Sequence, residues 1–148
     1  LTGIELLPER LVAARAVLPP SVRLLGGDAS AADITPASQD LVLQSTVFST
    51  ILDDALQQRL AAAMWSWLKP GGAVVWYDFT VNNPRNPDVR GVPLARVREL
   101  FPACAGGGFS VRRLTLAPPL ARAWPGAYPA FNLIPWLRTH RLVLIEKP

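Results

Sequence analysis

The chain is poor in the residues that build metal centres and covalent frameworks. It has one cysteine, Cys104, so neither an internal disulfide nor a cysteine zinc site can form. A lone thiol also fits synthesis in a reducing cytoplasm. His140 is the only histidine, which excludes a His-cluster metal site. No stretch of about 20 apolar residues is present, so no membrane-spanning helix is expected. No signal-peptide pattern is found. Lysine is scarce too: Lys69 and Lys147 stand beside 13 arginines, and the net charge is only +4. No dense Lys/Arg run appears, which argues against nucleic acid as a partner. Arginine forks suit phosphate and carboxylate groups, so an acidic small-molecule substrate stays open. A GC-rich genome would also enrich a chain in Arg and Ala.

What is there is hydrophobic residue in pattern. Half of the 148 residues are hydrophobic, enough for one domain with its own core across 1–148. Thr2 to Leu6 reads as a strand. Pro8 fits the first position of a helix, where its missing N–H costs nothing. Leu11, Ala14 and Leu18 share one helical face, and Pro19-Pro20 ends it. Val22 to Leu25 is a second strand, closed by Gly26-Gly27-Asp28. Asp40 to Gln44 is a third, apolar on both faces as a buried parallel strand should be.

Asp54 and Gln57 have capping-box spacing. Leu56, Leu60, Ala63, Met64 and Trp67 then follow a helical stripe. Lys69-Pro70-Gly71-Gly72 places a cation at the negative helix end, followed by breakers. Ala73 to Phe79 is a fourth strand. Strand–helix alternation of this kind predicts an α/β fold, Rossmann-like, with a mostly parallel sheet and right-handed crossovers.

The second half differs. Asn82 to Pro93 is a polar loop rich in Pro and Arg. Leu94 to Phe101 is a short helix, and Phe109 to Leu116 and Arg141 to Glu146 are strands. With no full crossover helix between them, these two predict an antiparallel hairpin at the sheet edge. Residues 118–136 form a Pro-, Ala- and Trp-rich insert, readable as a lid over a substrate, as core, or as a homodimer interface.

In open α/β sheets, ligands lie beyond the carboxyl ends of the strands. Those ends here carry Glu5, Asp28, Gln44-Ser45-Thr46 and Asp78-Phe79-Thr80. Glu5 can accept two ribose hydroxyls, each charged hydrogen bond contributing about 1.5–3 kcal/mol. Asp28 can accept from an exocyclic amine, with the Ala29 N–H offered to a ring nitrogen. A solvated turn carboxylate and a turn cap are the plain alternatives for these two acids; together, their spacing favours a nucleoside.

These residues resemble those of class I S-adenosylmethionine (SAM)-dependent methyltransferases. The acidic end of Gly3-Ile4-Glu5 is similar to the family's ribose position after its second strand. Gly27-Asp28-Ala29 is similar to its adenine position. Gln39 to Ser45 resembles the fourth strand, whose end borders methyl donor and substrate. Leu68-Lys69-Pro70-Gly71-Gly72 is the most specific match, a turn that recurs in the small-molecule enzymes. The resemblance implies SAM as cofactor, held by Glu5, Leu6, Asp28, Ala29, Gln44 and Ser45. It implies a small-molecule acceptor, with Arg85, Arg90, Trp124 and Tyr128 as candidate substrate contacts. Methyl displacement needs mainly proximity and orientation, so no catalytic residue is required; His140 and Asp78 are the candidates for a base. Strand alternation lets only one of Tyr77 and Asp78 face the substrate.

The sequence also departs from the family. The glycine-rich loop after the family's first strand is absent, and Gly106-Gly107-Gly108 reads as an unrelated loop. In the family that first strand is central, and a sheet without it would divide in two. The expectation is therefore a natural protein with about 40 or more upstream residues, the size of a βα unit, and weak donor binding by this chain alone. An Asn-Pro-Pro-aromatic motif is also missing after the third strand here, which argues against DNA adenine methylation. Two other classes remain: a noncatalytic scaffold that kept the sheet, and a nicotinamide-dependent oxidoreductase, though no Tyr-x-x-x-Lys pattern is present.

Overall fold

The computed structural model describes residues 1–84, 86–117 and 122–148. Strand β1 (Thr2–Glu5) and strand β2 (Arg23–Gly26) pair in parallel, with Glu5 opposite Gly26. Helix α1 (Pro8–Val17) crosses between them, with Pro8 in its first turn and no buried residue. A short 3-10 turn, Ala29–Ala31, follows β2. Ala29, Ala32 and Ile34 lean on the main core.

That core belongs to a second, four-stranded sheet. Strand β3 (Gln39–Ser45) pairs in parallel with β4 (Leu68–Phe79), through helix α2 (Asp54–Trp67). Strand β5 (Phe109–Leu116) follows helix α3 (Leu94–Leu100), and strand β6 (Arg138–Glu146) follows the short helix α4 (Tyr128–Asn132). The order is β3-β4-β6-β5, with β6 antiparallel to both neighbours. The Rossmann-like α/β expectation and the antiparallel closing strands agree with this topology. The parallel strands fall into two sheets, and Leu41 (64%) and Leu43 (70%) of β3 are exposed.

Alternation along β4 sorts its side chains. Trp76 and Asp78 point into the core under α2; Tyr77 and Phe79 take the other face. Trp76 is the centre of the packing, with Phe48 at 4.3 Å and Phe101 edge-on at 6.0 Å between ring centroids. Leu60, Met64 and Trp67 of the α2 stripe are buried as its period predicts.

Three local expectations need correction. The α2 cap is Asp53, whose Oδ1 accepts the N–H of Ala55 at 2.8 Å; Asp54 instead pairs with arginine side chains, and Gln57 is buried, donating to the Phe48 and Ile51 carbonyls. A capping box needs its acid one residue outside the helix, and Asp54 is already inside it. Lys69 is not the cation at the end of α2: it bonds Asp40 at 2.7 Å. Lys147 takes that place, its Nζ donating to the Trp65 and Leu68 carbonyls at 2.9 and 2.8 Å. Finally, β4 starts at Leu68, so the Pro-Gly-Gly segment is a bulge inside the strand between the pairs Gln39–Leu68 and Leu41–Ala73. Gly71 has φ +76 there, and a side chain on Gly72 would meet the Asp40 carbonyl at 2.9 Å, so the bulge needs both glycines.

Candidate functional site

The first group of site residues lies at the ends of β1 and β2. Glu5 Oε1 accepts the N–H of Leu7 at 2.9 Å, which tethers the carboxylate over the start of α1. Its second oxygen has no hydrogen bond among the described residues, and Leu6 beside it is exposed. Asp28 caps the 3-10 turn: Oδ1 accepts the Ser30 N–H at 2.8 Å and Oδ2 its hydroxyl at 2.9 Å. These bonds hold the Asp28 carboxyl below its ordinary pKa. They do not exhaust it, because an ionised carboxylate offers about four acceptor positions. The N–H of Ala29 is the first of the turn and has no partner within it. A carboxylate oxygen, a second carboxylate and a backbone donor thus stand at two paired strand ends.

The end of β3 is more structural. Gln44 is buried; its amide donates to the Tyr77 carbonyl at 3.4 Å and accepts the Val47 N–H at 3.2 Å. Both ends of this side chain hold the turn that follows β3. Ser45 is exposed, level with Tyr77 on β4. Thr46 has φ +54, unusual for a β-branched residue. Its N–H donates to the Tyr77 carbonyl at 2.7 Å.

Beyond the ends of β3 and β4 lies a cavity of about 480 Å³. Phe79, Val81, Pro84, Val89 and Ala117 give it apolar walls; Thr46, Asn82, Asn83, Asn86, Thr139 and His140 supply polar atoms, and Arg122 a charge. His140 lies opposite Phe79 on β6 and stacks on Tyr77, with centroids 5.2 Å apart and planes 16° apart. Its Nδ1 meets the Thr139 hydroxyl at 3.1 Å. Tyr77 is fixed in turn by a 2.5 Å bond between its hydroxyl and that of Thr115. Thr115 also has a positive φ, +48. Two β-branched residues in a strained conformation therefore serve one site, one lining the cavity and one holding Tyr77.

The two candidate bases sit on opposite faces of the sheet. Asp78 is buried among core residues, accepting the Ser49 N–H at 3.1 Å and the Phe79 N–H at 2.9 Å. Burial raises its pKa despite those bonds. His140 faces the cavity; burial lowers its pKa, against a weaker opposite pull from Asp78. The other sequence candidates scatter. Arg90 is bound to Asp54 at the start of α2, outside the cavity lining. Arg85 lies outside the described residues, as do 118–121 of the insert. Trp124 (57%) and Tyr128 (40%) are both exposed; Trp124 packs edge-on to Phe131 at 6.1 Å. Of the arginines that flank His140 on β6, Arg141 shares the Asp78 face, and Arg138 donates to the Arg113 carbonyl at 3.2 Å. Thr46, Asn82, Asn86 and Thr139 carry no motif. Their one sequence signal is position, in the segments after β3 and β4 or at the start of the closing strand.

The fold has counterparts among solved structures. A SAM-dependent methyltransferase from Archaeoglobus fulgidus aligns with 99% of this chain and 75% of its own, with TM-score 0.72 and 11% identity. The chain has the class I methyltransferase fold. A second such enzyme, from Thermotoga maritima, gives TM-score 0.72 and 17% identity over 99% of this chain and 72% of its own. A third, from Methanosarcina mazei, gives 0.66 and 14% over 99% and 81%. No protein-family model and no curated protein matches the sequence. In this fold, the acidic residues follow the carboxyl ends of β1 and β2, and the 480 Å³ cavity lies beyond those of β3 and β4.

Proposed function

We propose that the protein is a methyltransferase that moves a methyl group from SAM to a small-molecule acceptor. One observation carries the reading: two acidic strand ends suited to a nucleoside, and a separate, largely apolar cavity at the remaining parallel strand ends, on this fold. The donor supplies an activated methyl group when bound. Glu5 would accept from its ribose hydroxyls through the oxygen that Leu7 leaves open, with Leu6 beside it. Asp28 would accept from the adenine amine, and the Ala29 N–H would donate to the ring. Gln44 keeps the turn after β3 in place, and Ser45 and Thr46 border the transfer. The acceptor would lie in the cavity, with Trp124 and Tyr128 further along the insert whose Arg122 lines it. The protein's main contribution is then holding two molecules in line.

Calorimetric titration of the full-length protein with SAM, S-adenosylhomocysteine and NADH tests this. Binding of the first two without the third is expected; binding of NADH alone would favour an oxidoreductase. Glu5→Ala should weaken SAM about tenfold or more, as loss of a charged hydrogen bond does. An unchanged affinity would remove Glu5 from the site.

A further inference from the structure

We infer that the segment from Trp124 to Arg138 docks on an anionic lipid surface, with its apolar side chains in the interfacial layer and arginines against the headgroups. Such docking does not depend on methyl transfer.

Charge is unevenly placed along the chain. Residues 101–145 hold Arg112, Arg113, Arg122, Arg138 and Arg141 and no Asp or Glu. The rest has ten basic and eleven acidic residues, so the net positive charge resides in this stretch. Of the acids around it, Asp78 is buried, Glu99 pairs with Arg96, and Glu146 closes the end of β6 remote from Arg138. Asp88, in the loop that walls the cavity, is exposed.

Apolar side chains stand out of the same region. Trp136 is 81% and Leu133 78% exposed, and Ile134 and Pro135 between them are exposed too. This run of four apolar residues lies outside the cavity lining. The contact of Trp124 with Phe131 ties the start of the segment to its middle. Helix α4 packs on β5, and Arg138, two residues after Trp136, donates to the Arg113 carbonyl. The run therefore adjoins an edge strand that exposes Arg112 and Arg113.

The occupant follows from charge and backbone. A second copy would set this positive stretch against itself in a two-fold interface. The N–H groups of Leu133, Ile134 and Leu137 are bonded to the Ala130, Phe131 and Ile134 carbonyls, and Pro135 has none. These residues can enter an apolar layer with their donors satisfied, and they offer few donors to a pairing strand. Tryptophan beside arginine suits the boundary of headgroup and acyl chain: the indole is apolar with one polar N–H, and the guanidinium fork fits lipid phosphate. Apolar insertion and clustered positive charge are two signals, which stable surface binding needs. Among the described residues no helix is long and apolar enough to cross a membrane, so the segment would lie in the surface.

Sedimentation with lipid vesicles tests this. The protein should bind phosphatidylcholine vesicles that carry about 30% phosphatidylserine, and leave them as salt rises. Phosphatidylcholine alone should bind about 10²-fold more weakly. Brominated acyl chains should quench the tryptophan fluorescence of the wild type more than that of Trp136→Phe. Leu133→Ser with Trp136→Ala should weaken binding about tenfold or more. Arg112→Gln with Arg113→Gln should weaken it about fivefold per charge. All four residues are exposed, so the unfolding midpoint should not move. No binding to anionic vesicles, equal binding to both kinds, or binding without quenching would overturn the inference. So would a dimer in analytical ultracentrifugation that Trp136→Ala dissociates, because the surface would then belong to a second copy. SAM titration decides methyl transfer separately, so neither failure entails the other.

Discussion

Among the described residues none before Gln44 is buried, whereas Phe48, Leu68, Val74, Val143 and Ile145 are wholly inaccessible. The acidic strand ends thus belong to a thin two-stranded unit, and the cavity to a sheet with a packed core. The unit is steadied by Ala29, Ala32 and Ile34 leaning on the core, not by a core of its own. The proposed acceptor site adjoins the packed sheet; a marginal element holds the proposed donor. A ligand that binds Glu5 and Asp28 would therefore stabilise the half that needs it most.

The largest effect that tests this contrast is in the core. Trp76→Ala removes the ring between Phe48 and Phe101 and should cost about 3–5 kcal/mol in denaturant unfolding. Ile4→Ala in β1 should cost less than about 2 kcal/mol, and an equal cost would dissolve the contrast. Lys147→Met comes next. It takes two charged hydrogen bonds from the end of α2 and should lower stability by about 2 kcal/mol, read as a shifted midpoint at constant slope. Asp53→Ala should cost about 1 kcal/mol through the lost α2 cap. Asp28→Ala should cost less stability, because its turn is three residues long, yet should weaken SAM binding. A stability loss larger than that of Asp53→Ala would mean the two-stranded unit matters more than its burial implies.

The smallest effect is in pH dependence. Burial lowers the His140 pKa, so below 6.5 the unfolded chain binds a proton before the native one does. Stability should fall as pH drops from 6.5 through the lowered value, then level off, and His140→Gln should flatten that slope. Asp78 acts with the opposite sign. Its raised pKa means the native state holds the proton more tightly, so stability rises as pH falls through that value toward 3.8.

Periodicity carried most of the fold. The α2 stripe, β4 and the closing strands read correctly, because burial imposes its period on sequence; β3, read as buried on both faces, instead exposes Leu41 and Leu43. The errors came where one charge had two candidate neighbours. Asp53 and Asp54 differ by one residue in a helix that either can start. Lys69 and Lys147 both reach the end of α2 in principle, and only the pairing of β4 with β6 brings Lys147 there. Glu5 and Asp28 were legible as strand-end acids, since adjacent strands bring them together. The cavity was not. Thr46, Asn82 and Thr139 come from separate segments, and the positive φ of Thr46 leaves no trace in residue type. Arg90 had the right chemistry for an anion, but Asp54 occupies it.

The position of β6 has a consequence for how the protein is made. Its nine residues follow those of β4 and β5 in the chain, yet they lie between them. During translation the sheet must wait for them, with the edges of β4 and β5 both open to other chains. Deleting residues of β6 would therefore withdraw the middle of a sheet rather than trim its margin.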